Sequence, residues 1–358
     1  MLHRIGEHEL YGPDYRLVCA WAEELRQRPE EVLEILLTEI EDAEWQTELV
    51  KGHFKSIQVD RTILRVGGFP SIEGLFLDSL GFFVEWDYND SDIEILKLDL
   101  SGVPNLRSLS CDNNQLTELD LSGVPNLRSL SCDSNHLTEL DFFPVPNLTT
   151  LACAVNELDE LDLFPVPHLT TLACRYNQLT KLDLSAVPNL TELDCQDNEL
   201  SELDLSEVPN LRSLSCERNQ LSELDLSEVP NLTSLSFYCN RLSDLDLSEV
   251  PNLRSLSCGR NLLSEVDLSG VPNLRSLSFY RNQLTKLDLS AVPNLTELDC
   301  EDNRLTELDL SGVSNLRSLS CGSNQLTKLD LSVLPDLTKL RYDRGSTRLI
   351  QRPDQNFK

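Results

Sequence analysis

The chain is well supplied with residue types that do chemistry, with 11 cysteines, five histidines and 60 acidic side chains among 358 residues. Nine of the cysteines (Cys111, Cys132, Cys153, Cys174, Cys195, Cys216, Cys258, Cys300 and Cys321) fall in one column of a 21-residue period, and Phe237 and Phe279 fill the same column in the two remaining units. A position that takes either cysteine or phenylalanine is apolar and buried, so these are expected to be reduced core thiols. Metal binding calls for C-x-x-C pairs or clustered histidines. His3, His8, His53, His136 and His168 share no motif with a nucleophile or with one another. There is no G-x-S-x-G elbow, phosphate loop or dinucleotide fingerprint. The expectation is a chain with no catalytic residues and no cofactor, and an enzyme is the least supported class.

A second column is aspartate, which stands in an L-D-L-S setting every 21 residues from Asp99 to Asp330. Stacked at roughly 5 Å, adjacent carboxylates repel by about 1 kcal/mol in water and by more at a protein-like dielectric. Something must offset that. Either each carboxylate accepts bonds from nearby backbone N–H groups and hydroxyls, or the row binds calcium. Calcium wants six to eight oxygens, and the glycine-rich turns of calcium-binding repeats are missing here.

A third feature is a diversified pair directly after the Cys/Phe column. It reads Asp112-Asn113, Asp133-Ser134, Ala154-Val155, Arg175-Tyr176, Gln196-Asp197, Glu217-Arg218, Tyr238-Cys239, Gly259-Arg260, Tyr280-Arg281, Glu301-Asp302 and Gly322-Ser323. Its neighbours are nearly invariant from unit to unit. Arginine and tyrosine, the types enriched in binding hot spots, gather in the middle units as Arg175, Tyr176, Arg218, Tyr238, Arg260, Tyr280 and Arg281. These residues are expected to bind a protein partner carrying acidic and apolar groups.

The elements that must position these columns follow from the repeated unit L-R-S-L-S-C-x-x-N-Q-L-T-E-L-D-L-S-x-V-P-N. In Leu106 to Cys111 the apolar residues Leu109 and Cys111 alternate with serines, the period-two pattern of a strand with one buried side. Asparagine follows at Asn114, Asn135, Asn156, Asn177, Asn198, Asn219, Asn240, Asn261, Asn282, Asn303 and Asn324. An inward asparagine amide can satisfy backbone groups of neighbouring turns, so a structural ladder is expected. A second alternating run, Leu119 to Ser122, is expected as a short strand or extended segment on the opposite side. The proline in nearly every unit leaves little room for a helix there.

The run L-x-x-L-x-C-x-x-N-x-L resembles the leucine-rich-repeat signature, and its continuation L-x-x-L-D-L is similar to the 21-residue bacterial class called IRREKO. The resemblance covers roughly two thirds of the chain. It implies a leucine-rich-repeat solenoid, mostly β, with parallel strands on the concave face and short extended or β segments on the convex face. On that fold the diversified pair would lie on the concave face.

The flanks have a different grammar. Residues 1–68 are expected to form a small α-helical region, with helices from Asp14 to Arg28 and from Pro29 onward, that caps the open end of the array. Within residues 28–54, Pro29-Glu30-Glu31-Val32-Leu33 followed by Leu49-Val50 and Phe54 resembles the F-box, which would imply an adaptor recruiting a ubiquitin ligase. Arg28 and Phe54 depart from that family's leucine and tryptophan. Residues 69–101 align as a degenerate first repeat with an insertion near Phe82 to Asp90. Residues 102–334 are the regular array, and residues 335–358 a partial repeat with a tail expected to fray. Within the array, Phe142-Phe143-Pro144 and Leu163-Phe164-Pro165 replace the usual L-S-x, which the sequence reads as local repacking between neighbouring units rather than as a contact patch.

With 30 Lys+Arg against 60 Asp+Glu the formal charge is -30. Such a surface repels nucleic acid and anionic membrane. The opening MLHRIGEHELYG lacks the apolar core of a signal peptide, and no apolar run reaches the length of a membrane span. A cytoplasmic, monomeric, protein-binding scaffold is the resulting expectation, with the adaptor and the calcium-binding solenoid as alternatives.

Overall fold

The computed structural model describes residues 97–353, 355 and 357 in full, and before them the backbone of the strands Leu2–Ile5, His8–Tyr11, Ile57–Asp60, Ile63–Val66 and Gly74–Phe76. The helices expected from Asp14 onward, the F-box-like stretch and the aromatic insertion lie outside the described residues. Among the described residues none is helical. The chain falls into two compact units, residues 1–179 and 180–358.

In the first unit, Leu2–Ile5 and His8–Tyr11 pair antiparallel, a hairpin with no signal in the repeat grammar. Ile57–Asp60 and Ile63–Val66 form a second antiparallel pair. The strands Gly74–Phe76, Ser108–Ser110, Ser129–Ser131, Thr150–Ala152 and Thr171–Ala173 pair in parallel, each with the next, with Leu75 opposite Leu109 and so on through Leu172. Ile63–Val66 pairs in parallel with Lys97–Asp99 on the other side of the turn. A turn spaced 34 residues ahead of the first regular one therefore keeps the register of the 21-residue array.

In the second unit the parallel succession is Glu192–Asp194, Ser213–Ser215, Ser234–Ser236, Ser255–Ser257, Ser276–Ser278, Glu297–Asp299, Ser318–Ser320 and Lys339–Arg341. Lys328–Asp330 pairs with Arg348–Ile350 on the opposite side. Beyond Pro335 the chain continues both stacks through Ile350. Gln355 closes its end by donating Nε2 to the carbonyls of Leu331 and Leu334, at 3.2 and 2.7 Å.

The reason for three-residue strands lies in the alternation. In the regular strands from Ser108–Ser110 to Ser318–Ser320 the central leucine and the Cys/Phe residue just past the strand point into the core and are almost wholly buried, while the residues flanking the leucine, mostly serine, point out. On the opposite side the L-D-L run is extended through the interior of the array and becomes a strand at Lys97–Asp99 and Lys328–Asp330. Two consecutive i→i+3 turns then reverse the chain, such as Val124 N to Leu121 O at 3.0 Å and Leu127 N to Val124 O at 3.1 Å. Pro125 occupies the second residue of the second turn, where its fixed φ is an advantage.

Candidate functional site

The asparagine column is the frame of the candidate site. Asn219 donates Nδ2 to the carbonyls of Cys195 in the preceding turn (3.0 Å) and of Cys216 and Glu217 in its own (both 3.2 Å). Its Oδ1 accepts from Leu200 N at 3.0 Å. Nine further members, from Asn114 to Asn303, are buried in the same setting, and Asn324 is half-buried at the C-terminal end. One amide therefore satisfies backbone groups of two turns, the role the sequence assigns it.

The diversified pair sits between the end of each strand and this asparagine. The parallel ladder runs on through it: Arg218 N donates to Tyr238 O at 2.7 Å, Cys239 N to Gly259 O at 2.9 Å, and Arg260 N to Tyr280 O at 2.6 Å. The second residue of every pair has positive φ, from Asn113 at 55° to Ser323 at 52°, including Val155, Tyr176, Arg218, Arg260 and Arg281. This conformation is unfavourable for side chains other than glycine and asparagine. Cross-turn bonding and the buried asparagine that follows hold it, and nothing in the residue types themselves announces it. The pair consequently stands at the edge of the strand face, in the second and third residues past each strand end. First-position residues keep the strand's outward parity, and second-position residues leave from the turn.

In the second unit the structure brings Tyr238, Arg260, Tyr280 and Arg281 together. The Tyr238 ring lies across Gly259, where an added Cβ would come within 2.9 Å of ring atom Cδ2 and 2.8 Å of the Tyr280 carbonyl oxygen. The Arg260 guanidinium stands 5.7 Å from the centre of the Tyr238 ring, and that of Arg281 stands 5.2 Å from the Tyr280 ring. Arg281 Nε also donates to Asp302 Oδ2 at 2.8 Å, the first of the influences that raise its pKa, and Arg218 faces Asp197 at 3.8 Å. Two of the guanidinium groups thus have carboxylates in adjacent turns, which makes the strip less cationic than its arginines suggest. Arg175 and Tyr176 belong to the first unit, where both are exposed, with Val155 exposed one turn earlier in the same column.

Besides the terminal strand Lys339–Arg341, two turns of the second unit break the serine pattern of the strand face with acidic residues, Glu192 and Asp194 in one and Glu297 and Asp299 in the other. Burial raises the pKa of Asp299, against the bond it accepts from Glu301 N and the nearby Arg341. These face carboxylates escape a reading that looks only for the diversified pair. Their signal is the T-E-L-D-C variant of the unit.

The aspartate column resolves locally. Asp225 Oδ1 accepts from Ser227 N at 2.9 Å, and the same bond to the residue two places on recurs from Asp99 to Ser332's partner Asp330. Hydrogen bonds from the serine backbone and hydroxyl hold the carboxyls of Asp204, Asp225, Asp246, Asp267, Asp288 and Asp309 below the usual range, against weaker desolvation and, at Asp204, Asp225, Asp267 and Asp309, still weaker repulsion from neighbouring aspartates. The D-x-S spacing carried this signal.

The cysteines of the column form no disulfides and are buried. Burial pushes the thiols of Cys132, Cys153, Cys216, Cys258 and Cys300 upward, and that of Cys321 up to about 12. Several donate to the next turn, as Cys258 Sγ does to Ser278 O at 3.2 Å. Such thiols are inert. The repacking expected at the phenylalanine variants occurs only at Phe142, which is 1% exposed in the leucine column. Phe143 and Phe164 are 67% and 74% exposed, so the repacking reading fails for them.

The family model for leucine-rich repeats (two copies) matches residues 104–145, 188–228 and 272–312. No curated protein matches the chain. Among solved structures, the functional domain of InlJ from Listeria monocytogenes, described as including a cysteine ladder, is 33% identical with a TM-score of 0.70, over 78% of this chain and 64% of that one. The chain therefore spans less than two thirds of that domain. YopM, a leucine-rich effector protein from Yersinia pestis, is 29% identical with a TM-score of 0.64, over 78% and 77% of the two chains. An internalin, InlF, from Listeria monocytogenes shares the fold at 21% identity and a TM-score of 0.68, over 78% and 83%. With the parallel stack, the asparagine ladder and these matches in hand, the chain carries leucine-rich repeats and has the leucine-rich-repeat solenoid fold.

Proposed function

We propose that the chain is a non-enzymatic scaffold that binds a protein partner through the strip of Tyr238, Arg260, Tyr280 and Arg281, with Arg218 at its margin. The observation that supports this is the pre-ordering of the strip. Tyr238 is laid over Gly259, each tyrosine carries an arginine near its ring, and the backbone beneath is tied turn to turn. Side chains already held in place give up little entropy on binding, and stacked tyrosine and arginine are the usual anchors of an interface. Arg281 and Arg218 already face Asp302 and Asp197, so the strip offers stacked faces and guanidinium donors more than net charge. It suits a partner patch that is mainly apolar with a few acceptors, while the acidic surroundings reject a uniformly acidic one.

The test is the triple variant Tyr238→Ser, Arg260→Ser and Tyr280→Ser, compared with wild type in quantitative affinity capture from the native cell. Serine already serves the strand face, so the fold should survive. Capture of the partner should fall by at least about tenfold, in line with removal of central anchors. Capture at wild-type affinity would exclude the strip. Gly259→Ala gives a second handle: its Cβ collides with the Tyr280 carbonyl and the Tyr238 ring, so it should cost about 1–3 kcal/mol by overpacking and weaken capture as well.

A further inference from the structure

Phe143 and Phe164 stand one turn apart in the first unit, in the column that elsewhere holds serine. Each is the first of the two central residues of a turn, closed by Val145 N to Phe142 O at 2.9 Å and Val166 N to Leu163 O at 3.1 Å. Each donates its own N–H to the aspartate two residues back, Asp141 and Asp162, at 2.9 Å. The turn is therefore kept while the hydroxyl is given up. In the serine turns that hydroxyl is among the groups lowering the aspartate pKa, as Ser122 does for Asp120. Phenylalanine cannot supply it, so Asp141 and Asp162 have one intramolecular donor fewer than their counterparts.

Phe143 lines a groove that reaches Pro165, the residue after Phe164, and in which Leu140 is half-buried, although the matching Leu119 and Leu161 are buried. Glu118, Glu139 and Glu160 line it together with Asp141 and Asp162. The exposed Phe143 thus stands among carboxylates, with the exposed Phe164 one turn further on. Two exposed phenylalanines are costly to keep wet without a use. The surrounding charge selects among occupants. A second copy would set carboxylates against carboxylates in a two-fold contact, on a chain already at -30. An anionic lipid surface or a nucleic acid meets the same repulsion. A cationic segment with apolar side chains does not: its apolar groups cover the rings, its lysine or arginine groups pair with Asp141, Asp162 and the glutamates, and arginine also gains from the ring faces.

We propose that this groove is a second docking site, separate from the tyrosine-arginine strip, for a peptide segment of a partner protein that combines lysine or arginine with leucine, phenylalanine or tryptophan. The test uses a displayed random dodecapeptide library selected on the full chain and, in parallel, on Phe143→Ser/Phe164→Ser, which restores the residue found in the other turns. Matching thermal midpoints establish that the variant is folded. Sequences enriched on wild type and lost on the variant should carry both basic and large apolar residues. Synthesised and labelled, they should bind wild type at least about tenfold more tightly than the variant, and should weaken on Glu139→Gln/Glu160→Gln and with added salt. Four outcomes overturn the proposal: no sequences that depend on the phenylalanines, enriched peptides without basic residues, phenylalanine-dependent binding to neutral phosphatidylcholine vesicles in place of peptides, or concentration-dependent dimerisation abolished by the serine variant. None of these outcomes bears on the strip, whose residues the variants leave intact.

Discussion

The inward asparagine and cysteine columns and the outward aspartate column share one period, yet they do opposite work. The asparagine amide has both donor and acceptor, and Asn219 uses both to join two turns. The aspartate carboxylate can only accept, and Asp225 spends that capacity on its own turn through Ser227. A residue repeated in every unit is thus not by that fact a residue that holds the units together. What decides is whether its chemistry reaches across the gap and whether the gap is dry.

The largest expected effect that separates the two is alkaline. The buried thiols have folded pKa values raised above the ordinary 9.0, so their contribution is complete below that value and is lost as the pH rises past it toward the folded values, because the unfolded chain releases those protons first. Each column thiol should withdraw about 1.4 kcal/mol by one pH unit above its unfolded pKa. Urea midpoints measured from pH 8 to 10.5 should fall steeply, and less steeply in Cys132→Ala/Cys153→Ala. In a Cys19→Ser background, a thiol reagent at pH 8 should label Cys239, which is half-buried, well before the column. Column labelling at native stability would contradict the burial.

Next in size is Asn219→Ala, which leaves buried donors and acceptors of two turns without their partner and should cost about 3–5 kcal/mol. Hydrogen exchange should rise at Leu200 and in the turns on either side, and hardly at all several turns away, because the coupling runs between neighbours. A loss spread evenly over the array would blur the contrast between the columns.

The smallest effect belongs to Asp225→Asn, whose urea midpoint should stay close to wild type at pH 7. A carboxyl with a lowered pKa contributes above its ordinary value of 3.8 and loses that contribution as pH falls through the folded value. The difference between Asp225→Asn and wild type should therefore shrink further in acid. A marked loss at neutral pH would mean that the outward column also binds turns together.

Much of this was legible because the period repeats each message. The strands, the asparagine ladder and the buried thiols follow from parity and from the substitution of phenylalanine for cysteine. Other features were hidden for identifiable reasons. Positive φ at Val155, Tyr176 and Arg218 is imposed by neighbouring turns against local preference, so residue type misleads there. The partners of Arg281 and Arg218 stand a whole period away, at Asp302 and Asp197, where a reading of adjacent residues does not look. Phe142 and Phe143 are neighbours of one type with opposite fates, and only parity distinguishes them: the first replaces the inward leucine, the second the outward serine.

The asparagine bonds also bear on how such a chain can change over time. The bonds that Asn219 makes, two to its own turn and two to the preceding one, end on backbone groups that every regular unit offers at the same place, so the junction between any two regular turns is chemically interchangeable with the next. A copying error that adds or removes one whole unit leaves every junction satisfied, whereas a shorter insertion between strand and asparagine breaks two at once. The array is therefore open to growth and loss in complete turns, and each new turn brings a diversified pair whose side chains are free to vary while the frame beneath them stays the same.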